Sequence, residues 1–234
     1  MSAYIGNELE VFLHAQNWKK YWANFISPYV RDEVAEVGSG IGANTPMFCG
    51  GRVKNLICIE PDGRLLAQAQ LRKPSAPHPI EWIEGTLSSL DPARSFDSLV
   101  YIDVLEHIED DAAEVRRAVL SLKPGGHLIV LCPAHQWLYS PFDKAIGHYR
   151  RYSRNSMTAV FPERGGEFVE RVYLDSIGLT ASLMNKAIMR QSMPNYGQIR
   201  LWDTWMVPLS KYVDPLLGRN FGKTVVFVWR KNDA

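Results

Sequence analysis

The chain contains 234 residues, which is enough for one large domain or two small ones with a substantial buried core. Apolar residues make up 46% and charged residues 22%, values that exclude a disordered, collagen-like or coiled-coil chain. Lys and Arg total 26 against 25 Asp and Glu, so the net charge is +1. A near-neutral chain has no global attraction for nucleic acid or anionic membranes, so we predict neither as a partner.

The three cysteines, Cys49, Cys58 and Cys132, have a spacing that fits neither a disulfide framework nor a zinc site. We therefore expect buried thiols in a reducing compartment, and we predict no metal site. The N-terminal segment lacks a basic start and a continuous apolar run, and no stretch reaches ~18 apolar residues. The sequence thus predicts no signal peptide, no stable membrane insertion and a cytoplasmic location.

Hydrophobic periodicity predicts helices and strands in alternation along most of the chain. A helical segment at 4–30 is followed by a strand at 33–37 that runs into a glycine-rich turn. Asp111 and Glu114 resemble a capping box that opens a helix, and the tract at 123–126 (KPGG) breaks the chain after it. The other predicted elements are helices at 43–50 and 63–72, and strands at 55–60, 79–83, 96–103, 127–132, 167–174 and 224–230.

Strands that alternate with helices favour a parallel sheet covered by helices on both faces. The sequence has no internal repeat, low-complexity tract or linker, so we predict one domain over 1–234. Within it we distinguish an N-terminal helical cover at 1–32, a cofactor half at 33–134 and a substrate half at 135–234.

The most informative segment is 34–44 (VAEVGSGIGAN), which ends the first strand of the sheet and opens a helix. Its glycines permit a tight turn and let a ligand approach the backbone closely. Glu60 ends the next strand, where an acid can accept hydrogen bonds from both ribose hydroxyls, so a nucleoside-containing cofactor is predicted. The loop also satisfies the relaxed dinucleotide pattern, but Glu36 at the strand end suits an ammonium group and would repel a pyrophosphate.

Four segments extend this pattern in a fixed order: EVGSGIG at 36–42, ICIEPD at 57–62, FDSLVYIDVLEHIEDD at 96–111 and LKPGGHLIVLCP at 122–133. In these segments the sequence resembles the class I S-adenosylmethionine-dependent methyltransferases. The resemblance covers about 33–134 well and the rest of the chain loosely.

The resemblance implies a Rossmann-like, doubly wound sheet of seven strands, mostly parallel with the last strand antiparallel. It implies S-adenosylmethionine as the cofactor and S-adenosylhomocysteine as its product, with Asp103 at the amino-acid end. The family often has an acid near the adenine amine after the third strand, and here Thr86 or Glu84 must serve. The other implied contacts are Glu36, Gly38, Gly40 and Gly42 for the methionine and ribose, and Glu60 for the ribose hydroxyls.

A basic and aromatic loop at 134–154 follows the fifth strand, at the edge of the sheet where ligands bind. Paired arginines bind carboxylates and phosphates bidentately, so we predict an anionic small-molecule substrate. The alternative is a solvated loop whose arginines cap helices or pair with acids. The predicted substrate contacts are Arg150, Arg151, Tyr149, Tyr152 and Trp137 in the loop, together with His107 after the fourth strand.

Three histidines are candidates for a general base, because imidazole titrates near neutral pH. We favour His148, with Asp143 as the residue that orients it, and His135 is the second choice. His107 lies in the run DVLEHI and is equally compatible with a structural role. For each of them a surface or helix-packing position is the alternative.

The long helical segment at 178–222, between the last two strands, carries apolar faces rich in Trp and Met. We expect it to form a lid over the substrate. Core packing, a homodimer surface and a membrane-surface contact are the alternatives.

The sequence therefore predicts a methyltransferase for a small, anionic acceptor, with oxygen favoured over nitrogen as the methylated atom. One alternative is a nicotinamide-dependent oxidoreductase on the same fold, which the lack of a Tyr-x-x-x-Lys pair weakens. Another is a non-catalytic protein that retains the cofactor fold.

Overall fold

The computed structural model describes residues 8–184 and 196–233. Seven strands form its sheet: β1 (Arg31–Val37), β2 (Arg52–Glu60), β3 (Ile80–Glu84), β4 (Phe96–Ile102), β5 (Leu122–Pro133), β6 (Gly166–Leu174) and β7 (Thr224–Lys231). Their order across the sheet is β3-β2-β1-β4-β5-β7-β6. Strands β1 to β5 pair in parallel, whereas β7 pairs antiparallel with both β5 and β6. The predicted doubly wound sheet with an antiparallel last strand is confirmed.

The largest departure among the strands is at the start of β5. The tract at 123–126, predicted to break the chain, lies inside this strand. Its glycines are accommodated by a register shift against β4, and a Cβ on Gly126 would lie 3.0 Å from the carbonyl oxygen of Phe96. The glycines therefore permit close pairing of the two strands.

The helices are α1 (Glu8–Phe12), α2 (Gln16–Ile26), α3 (Gly63–Leu71), α4 (Asp111–Leu120), α5 (Pro141–Ala145), α6 (Arg154–Thr158), α7 (Ser176–Met184), α8 (Tyr196–Leu201) and α9 (Val207–Leu216). A π-helical turn, Trp202–Met206, joins α8 to α9. The helix predicted over 4–30 is thus two helices, and residues 1–7 lie outside the described part of the chain.

Two further helix predictions need correction. The helix expected at 43–50 is a single 3-10 turn, Thr45–Phe48, because Pro46 cannot donate a backbone hydrogen bond and two glycines follow. The cap of α4 is Asp110 and not Asp111, since an Asp110 side-chain oxygen accepts a hydrogen bond from the amide of Ala113 at 2.9 Å.

Both faces of the sheet are covered by apolar packing. Helix α2 buries Trp18, Tyr21, Trp22 and Ile26 against one face, as its helical spacing predicts. Helix α4 packs on the opposite face. Each fully buried large side chain contributes roughly 1.5–3 kcal/mol, so this packing fixes α2 firmly beside the carboxyl end of the sheet.

Between β6 and β7 the chain is helical over 176–184 and 196–216, residues 217–223 form a turn into β7, and residues 185–195 lie outside the described residues. Asp214 in α9 ties this segment to the rest of the molecule. One of its oxygens accepts hydrogen bonds from the hydroxyl of Tyr21 and the amide of Asp175, both at 2.7 Å. None of the helices in the described ranges has the length and apolar character needed to cross a membrane.

Candidate functional site

A cavity of about 300 Å³ lies at the carboxyl edge of the sheet. Because β1, β4 and β5 are parallel, the segments that follow them meet at this edge. Residues of helices α1 and α2 line one side of the cavity. The lining residues are Leu9, Phe12, Ala15, Trp18, Lys19, Trp22, Gly38, Ser39, Gly40, Ile41, Ala43, Asn44, Ile102, Asp103, Glu106, His107, Pro133, Phe142, Asp143, Ile146, His148, Arg151, Ser182, Trp202, Lys223 and Thr224.

The glycine loop, residues 38–44, forms one end of the cavity. Gly38, Gly40 and Gly42 have φ angles of 72°, 54° and 75°, values that other residues rarely adopt. Gly38 and Gly40 line the cavity. Gly42 instead packs on α3, where an added Cβ would lie 3.1 Å from the Cβ of Ala69. The loop therefore exposes its backbone to the cavity on one side and packs tightly on the other.

Glu60 supports the glycine loop from the end of β2. Its two carboxylate oxygens accept hydrogen bonds from the amides of Gly40, at 2.9 Å, and Asp62, at 3.0 Å. Glu60 is buried and is not among the lining residues. Thr86 also lies outside the lining and caps the short turn after β3. Glu60 and Thr86 both remain predicted cofactor contacts, and both already form hydrogen bonds within the protein.

Glu36 lies beneath the glycine loop and does not line the cavity. Its carboxylate accepts hydrogen bonds from the hydroxyl of Thr45 at 2.7 Å and from the thiol of Cys58 at 3.6 Å. Burial raises its pKa to about 7, even though these two donors and the nearby Lys19 ammonium oppose the rise. Glu36 is therefore partly protonated at neutral pH, close to the glycine loop.

Asp103 follows β4 and lies between the two ends of the cavity. It has a φ angle of 55°, which turns the chain sharply at the strand end. Asp103 is exposed and its side chain lines the cavity. Desolvation within the cavity raises its pKa to about 6 against the opposing influence of His148, Lys223 and Arg151.

A chain of three side chains forms the other end of the cavity. The guanidinium of Arg151 donates two hydrogen bonds to Asp143, at 2.8 and 3.0 Å, and Asp143 contacts Nδ1 of His148 at 3.0 Å. Burial alone would raise the pKa of Asp143, but the hydrogen bonds from His148 and Arg151 hold it well below its usual value. The predicted His148–Asp143 pair is therefore present, with Arg151 as its support.

Beside this pair lies a group that we call the histidine cluster, formed by Glu106, His107 and His148. One potential donor atom from each lies within 4.8 Å of the others. Nε2 of His148 faces a carboxylate oxygen of Glu106 at 3.8 Å, and the His107 ring stands edge-on to His148 at 4.5 Å. Burial holds the pKa of Glu106 well above its usual value and lowers that of His107 to about 4. The sequence analysis predicted no metal site, yet this donor set could hold a metal ion.

The structure does not bring His135 into the cavity. Its ring stacks between Trp137 and Tyr173, with both ring centroids at 5.0 Å, and its Nε2 contacts the carbonyl of Gly222 at 2.9 Å. These contacts anchor the start of the loop after β5. Neither His135 nor Trp137 therefore lies where the predicted catalytic and substrate roles would require.

Arg150, Tyr149 and Tyr152 also lie outside the cavity lining. Arg150 forms an ion pair with Asp111 and donates a hydrogen bond to the carbonyl of Glu109 at 2.7 Å. Tyr152 is buried in the core and donates to Asp111 at 2.7 Å, whereas Tyr149 is half exposed. Arg150 and Tyr152 therefore hold the loop to the start of α4, which is the alternative that the sequence left open for a basic loop.

The sequence analysis missed three charged residues of the lining: Lys19, Glu106 and Lys223. Nζ of Lys223 lies 3.6 Å from the centre of the Trp202 ring and 3.5 Å from Asp175. Nζ of Lys19 donates to the carbonyl of Leu13 at 3.0 Å, and burial lowers its pKa to about 8. A sequence signal existed for Lys223, because a residue just before an antiparallel last strand must lie at the carboxyl edge.

Residues 35–130 match the sequence model of a family described as a methyltransferase domain. The ubiquinone biosynthesis O-methyltransferase of Rhodopseudomonas palustris (strain HaA2) is 28% identical over 104 residues, which are 44% of this chain and 40% of that protein. The match thus spans about two fifths of that curated relative. The family match favours a methyltransferase over the nicotinamide-dependent alternative.

Solved structures share the fold over nearly the whole chain. A Thermotoga maritima methyltransferase described as a possible histamine N-methyltransferase has a TM-score of 0.63 at 19% identity, covering 97% of this chain and 95% of that one. N-methyltransferase NodS from Bradyrhizobium japonicum WM9, in complex with S-adenosylhomocysteine, has a TM-score of 0.59 at 18% identity, with 94% and 87% covered. At these identities the comparison establishes the fold.

Proposed function

We propose that this chain, whose residues 35–130 match a methyltransferase domain, transfers the methyl group of S-adenosylmethionine to an oxygen atom of a small, anionic acceptor. The observation that carries the proposal is that the glycine loop and the histidine cluster share one cavity. The glycine loop lines one end of it and the histidine cluster lines the other, so cofactor and acceptor can meet inside it.

The charges near the glycine loop suit this cofactor. S-adenosylmethionine carries a sulfonium cation and a zwitterionic amino acid but no phosphate, so acidic groups do not repel it. We assign its ammonium group to Asp103 and its carboxylate to Lys19, since both side chains line the cavity. The roles of Gly38 and Gly40 are retained as predicted, and Glu60 and Thr86 remain proposed ribose and adenine contacts.

The reaction requires alignment more than it requires a reactive protein group. A lone pair of the acceptor oxygen forms the new C–O bond while the C–S bond breaks, and the C–S electron pair returns to sulfur. Holding the two reactants in line can supply up to roughly 7–11 kcal/mol. The acceptor hydroxyl must also lose its proton, and activation of that oxygen is the role that we propose for the histidine cluster.

The position of His148 shapes this role. Its Nδ1 contact with Asp143 agrees with the predicted orienting pair, which fixes the ring. Its Nε2, however, faces Glu106. An acceptor oxygen that approaches His148 therefore approaches Glu106 as well, and the two residues must act on it together.

An anionic acceptor is supported by a different residue from the ones predicted. Arg150 lies outside the cavity and Arg151 is engaged by Asp143, so neither is available for bidentate binding of a substrate. Lys223 lines the cavity and is paired with Asp175 at 3.5 Å, a separation that leaves room for a second anion. The resemblance to a ubiquinone biosynthesis O-methyltransferase favours oxygen as the accepting atom.

The first experiment measures cofactor binding by calorimetry, with S-adenosylhomocysteine and NADH as ligands. We expect micromolar binding of the former and none of the latter. Glu60→Ala removes the hydrogen bonds to the amides of Gly40, in the glycine loop, and of Asp62, and should weaken binding about 10–100-fold. Glu81→Ala, on the exposed side of β3, is the matched control and should leave binding unchanged.

The second experiment measures methyl transfer. The protein is incubated with S-adenosylmethionine labelled in its methyl group and with a panel of hydroxylated carboxylic acids and phosphates. Label in a product that resists alkaline hydrolysis indicates an ether and supports the proposal. Binding of S-adenosylhomocysteine without turnover on any acceptor supports the non-catalytic alternative, and binding of NADH in its place overturns the cofactor assignment.

A further inference from the structure

The histidine cluster contains a carboxylate that the protein itself leaves unsatisfied. Glu106 has no solvent exposure, and neither of its side-chain oxygens has an N–H or O–H donor at hydrogen-bond distance among the described residues. The thiol of Cys132, a weak donor, is the one side chain that interacts with it. A buried carboxyl group without partners is stable only when it is neutral or paired with a cation, and this one lies beside two imidazole rings that could share such a cation.

We propose that Glu106, His107 and His148 bind a divalent first-row metal ion, which also holds the accepting oxygen of the substrate. The metal site stands on its own geometry, whereas its part in catalysis rests on the proposed function. The donor atoms already lie within 4.8 Å of one another, so small side-chain movements bring all three to coordination distance.

The orientation of His148 supports this assignment independently of Glu106. Histidines that bind metals usually present one ring nitrogen to the ion and the other to a carboxylate, which fixes the ring and its tautomer. Here Nδ1 contacts Asp143 at 3.0 Å, and Nε2 points toward Glu106. Arg151 in turn holds Asp143 by two hydrogen bonds. The whole chain of contacts orients one imidazole nitrogen into the cluster.

The donor set indicates the class of metal. Two imidazole nitrogens and one carboxylate oxygen suit borderline divalent ions such as Mn²⁺, Fe²⁺, Co²⁺ or Zn²⁺ more than Ca²⁺. Three protein ligands leave coordination positions open. Because the cluster lines the cavity, those open positions face the space in which the acceptor would lie.

This inference changes the role of His148 in the proposed reaction. As a ligand it does not accept a proton. A metal ion held by Glu106, His107 and His148 would act as a Lewis acid that lowers the pKa of the acceptor hydroxyl, whose proton would pass to solvent. The acceptor oxygen forms the C–O bond with the methyl carbon, while the C–S bond breaks and its electron pair stays on sulfur.

The test uses Co²⁺ as the probe. The untagged protein is freed of metal with a chelator, and Co²⁺ binding is followed by calorimetry and by visible d–d absorption. We expect about one equivalent to bind, with a spectrum that differs from that of aqueous Co²⁺. Co²⁺ should also raise the Tm, because a ligand that binds only the folded state stabilises it.

Glu106→Gln and His148→Asn should each weaken Co²⁺ binding by more than the roughly 10–100-fold that is typical of changes around a ligand. Asp143→Asn, which changes the support of His148 but removes no donor atom from the cluster, should fall within that range. His78→Asn is the matched control, since His78 lies between α3 and β3 and outside the cavity lining. The Tm of each variant without metal shows whether it is folded, and His107→Asn replaces any variant that is not.

Saturable Co²⁺ binding that is lost in Glu106→Gln and His148→Asn but kept in His78→Asn supports the metal site. No saturable binding, or equal binding in all of these variants, overturns it. S-adenosylhomocysteine affinity, measured on the same samples, separates this inference from the proposed function. Full methyl transfer in the presence of chelator overturns the part of the metal ion in catalysis, whereas Co²⁺ binding without S-adenosylhomocysteine binding overturns the proposed function alone.

Discussion

The two ends of the cavity treat their buried acids differently. At the glycine loop, Glu36 accepts from Thr45, and Glu60 accepts from two backbone amides. At the histidine cluster, Asp143 is fully paired, but Glu106 has no donor of normal strength among the described residues. Buried carboxylates are stable only when they are paired or neutral.

The buried acids at the glycine loop thus have hydrogen-bond partners within the protein, whereas Glu106 in the histidine cluster lacks one of normal strength. The glycine loop is held in shape by hydrogen bonds within the protein, so it can receive the cofactor without large rearrangement. The histidine cluster acquires its missing partner only from a bound cation or ligand. We therefore expect the glycine-loop end to be rigid and the histidine-cluster end to depend on the residues that support it.

The largest effect is expected at Gly38. In Gly38→Ala the new Cβ would lie 2.5 Å from a methyl carbon of Val104, and the φ angle of 72° is unfavourable for alanine. The backbone term costs about 1–2 kcal/mol and the collision about 1–3 kcal/mol of unfolding free energy. Because the loop must shift, binding of S-adenosylhomocysteine should be lost, and calorimetry with chemical denaturation measures both effects.

Gly51→Ala is the matched control for Gly38→Ala. Gly51 has a φ angle of 68°, but an added Cβ there would meet nothing within 4 Å. The unfolding free energy of Gly51→Ala should therefore fall by only about 1–2 kcal/mol, the cost of the backbone conformation, and the variant should bind S-adenosylhomocysteine normally. Equal losses of binding in the two variants would show that the close packing of the loop against Val104 does not matter.

The next effect concerns Glu36 and pH. Burial raises its pKa from the usual 4.5 to about 7, so between these values the folded protein holds a proton that the unfolded chain has released. The stability that this proton provides is complete below pH 4.5 and is lost as the pH rises through about 7. A shift of this size corresponds to roughly 3 kcal/mol.

Glu36→Gln keeps an oxygen that can accept from Thr45 but does not titrate. Denaturation between pH 5 and 8 should show the wild type losing more stability than the variant as the pH rises. The ionisable neighbours Lys19, Glu60, Cys49 and Cys58 are present in both proteins, so the difference isolates Glu36. Parallel pH profiles would mean that Glu36 is ionised throughout and that its donors outweigh its burial.

The fold could be predicted because each strand is a short apolar run flanked by a turn or helix signal, a pattern that depends on neighbouring residues only. The glycine loop is predictable for the same reason. The histidine cluster is not, because His148 lies 41 residues beyond His107 and reaches it only through the path of the loop after β5. A local signal did exist, since Glu106 and His107 follow Asp103 within a single turn.

His135 and Lys223 both show that the direction of a side chain in a loop is not predictable from the sequence. His135 has the residue type and the loop position expected of a catalytic base, but stacking between Trp137 and Tyr173 keeps it out of the cavity. Lys223 directly precedes β7, whose antiparallel direction brings it to the carboxyl edge of the sheet, but the sequence does not give the direction in which its side chain points. Residue type and sheet edge could be predicted, whereas the direction of a side chain in a loop could not.

The smallest effect is expected at Arg150, and it sharpens the comparison because the adjacent Arg151 should behave differently. Arg150→Ala removes a partly exposed ion pair with Asp111, so the free energy of unfolding should fall by less than about 1 kcal/mol. Arg151→Ala leaves the buried Asp143 without two of its donors and should cost about 1–3 kcal/mol.

Denaturation of the two variants, with Co²⁺ titration of each, measures this difference. Arg150→Ala should bind Co²⁺ like the wild type, since its side chain supports the loop from outside the cavity. Arg151→Ala should bind Co²⁺ more weakly, because Asp143 then holds His148 less firmly. If Arg150→Ala weakened Co²⁺ binding more than Arg151→Ala did, Arg150 would again be a candidate for the substrate-binding role that the sequence predicted. The acceptor would then lie on the outer side of the loop.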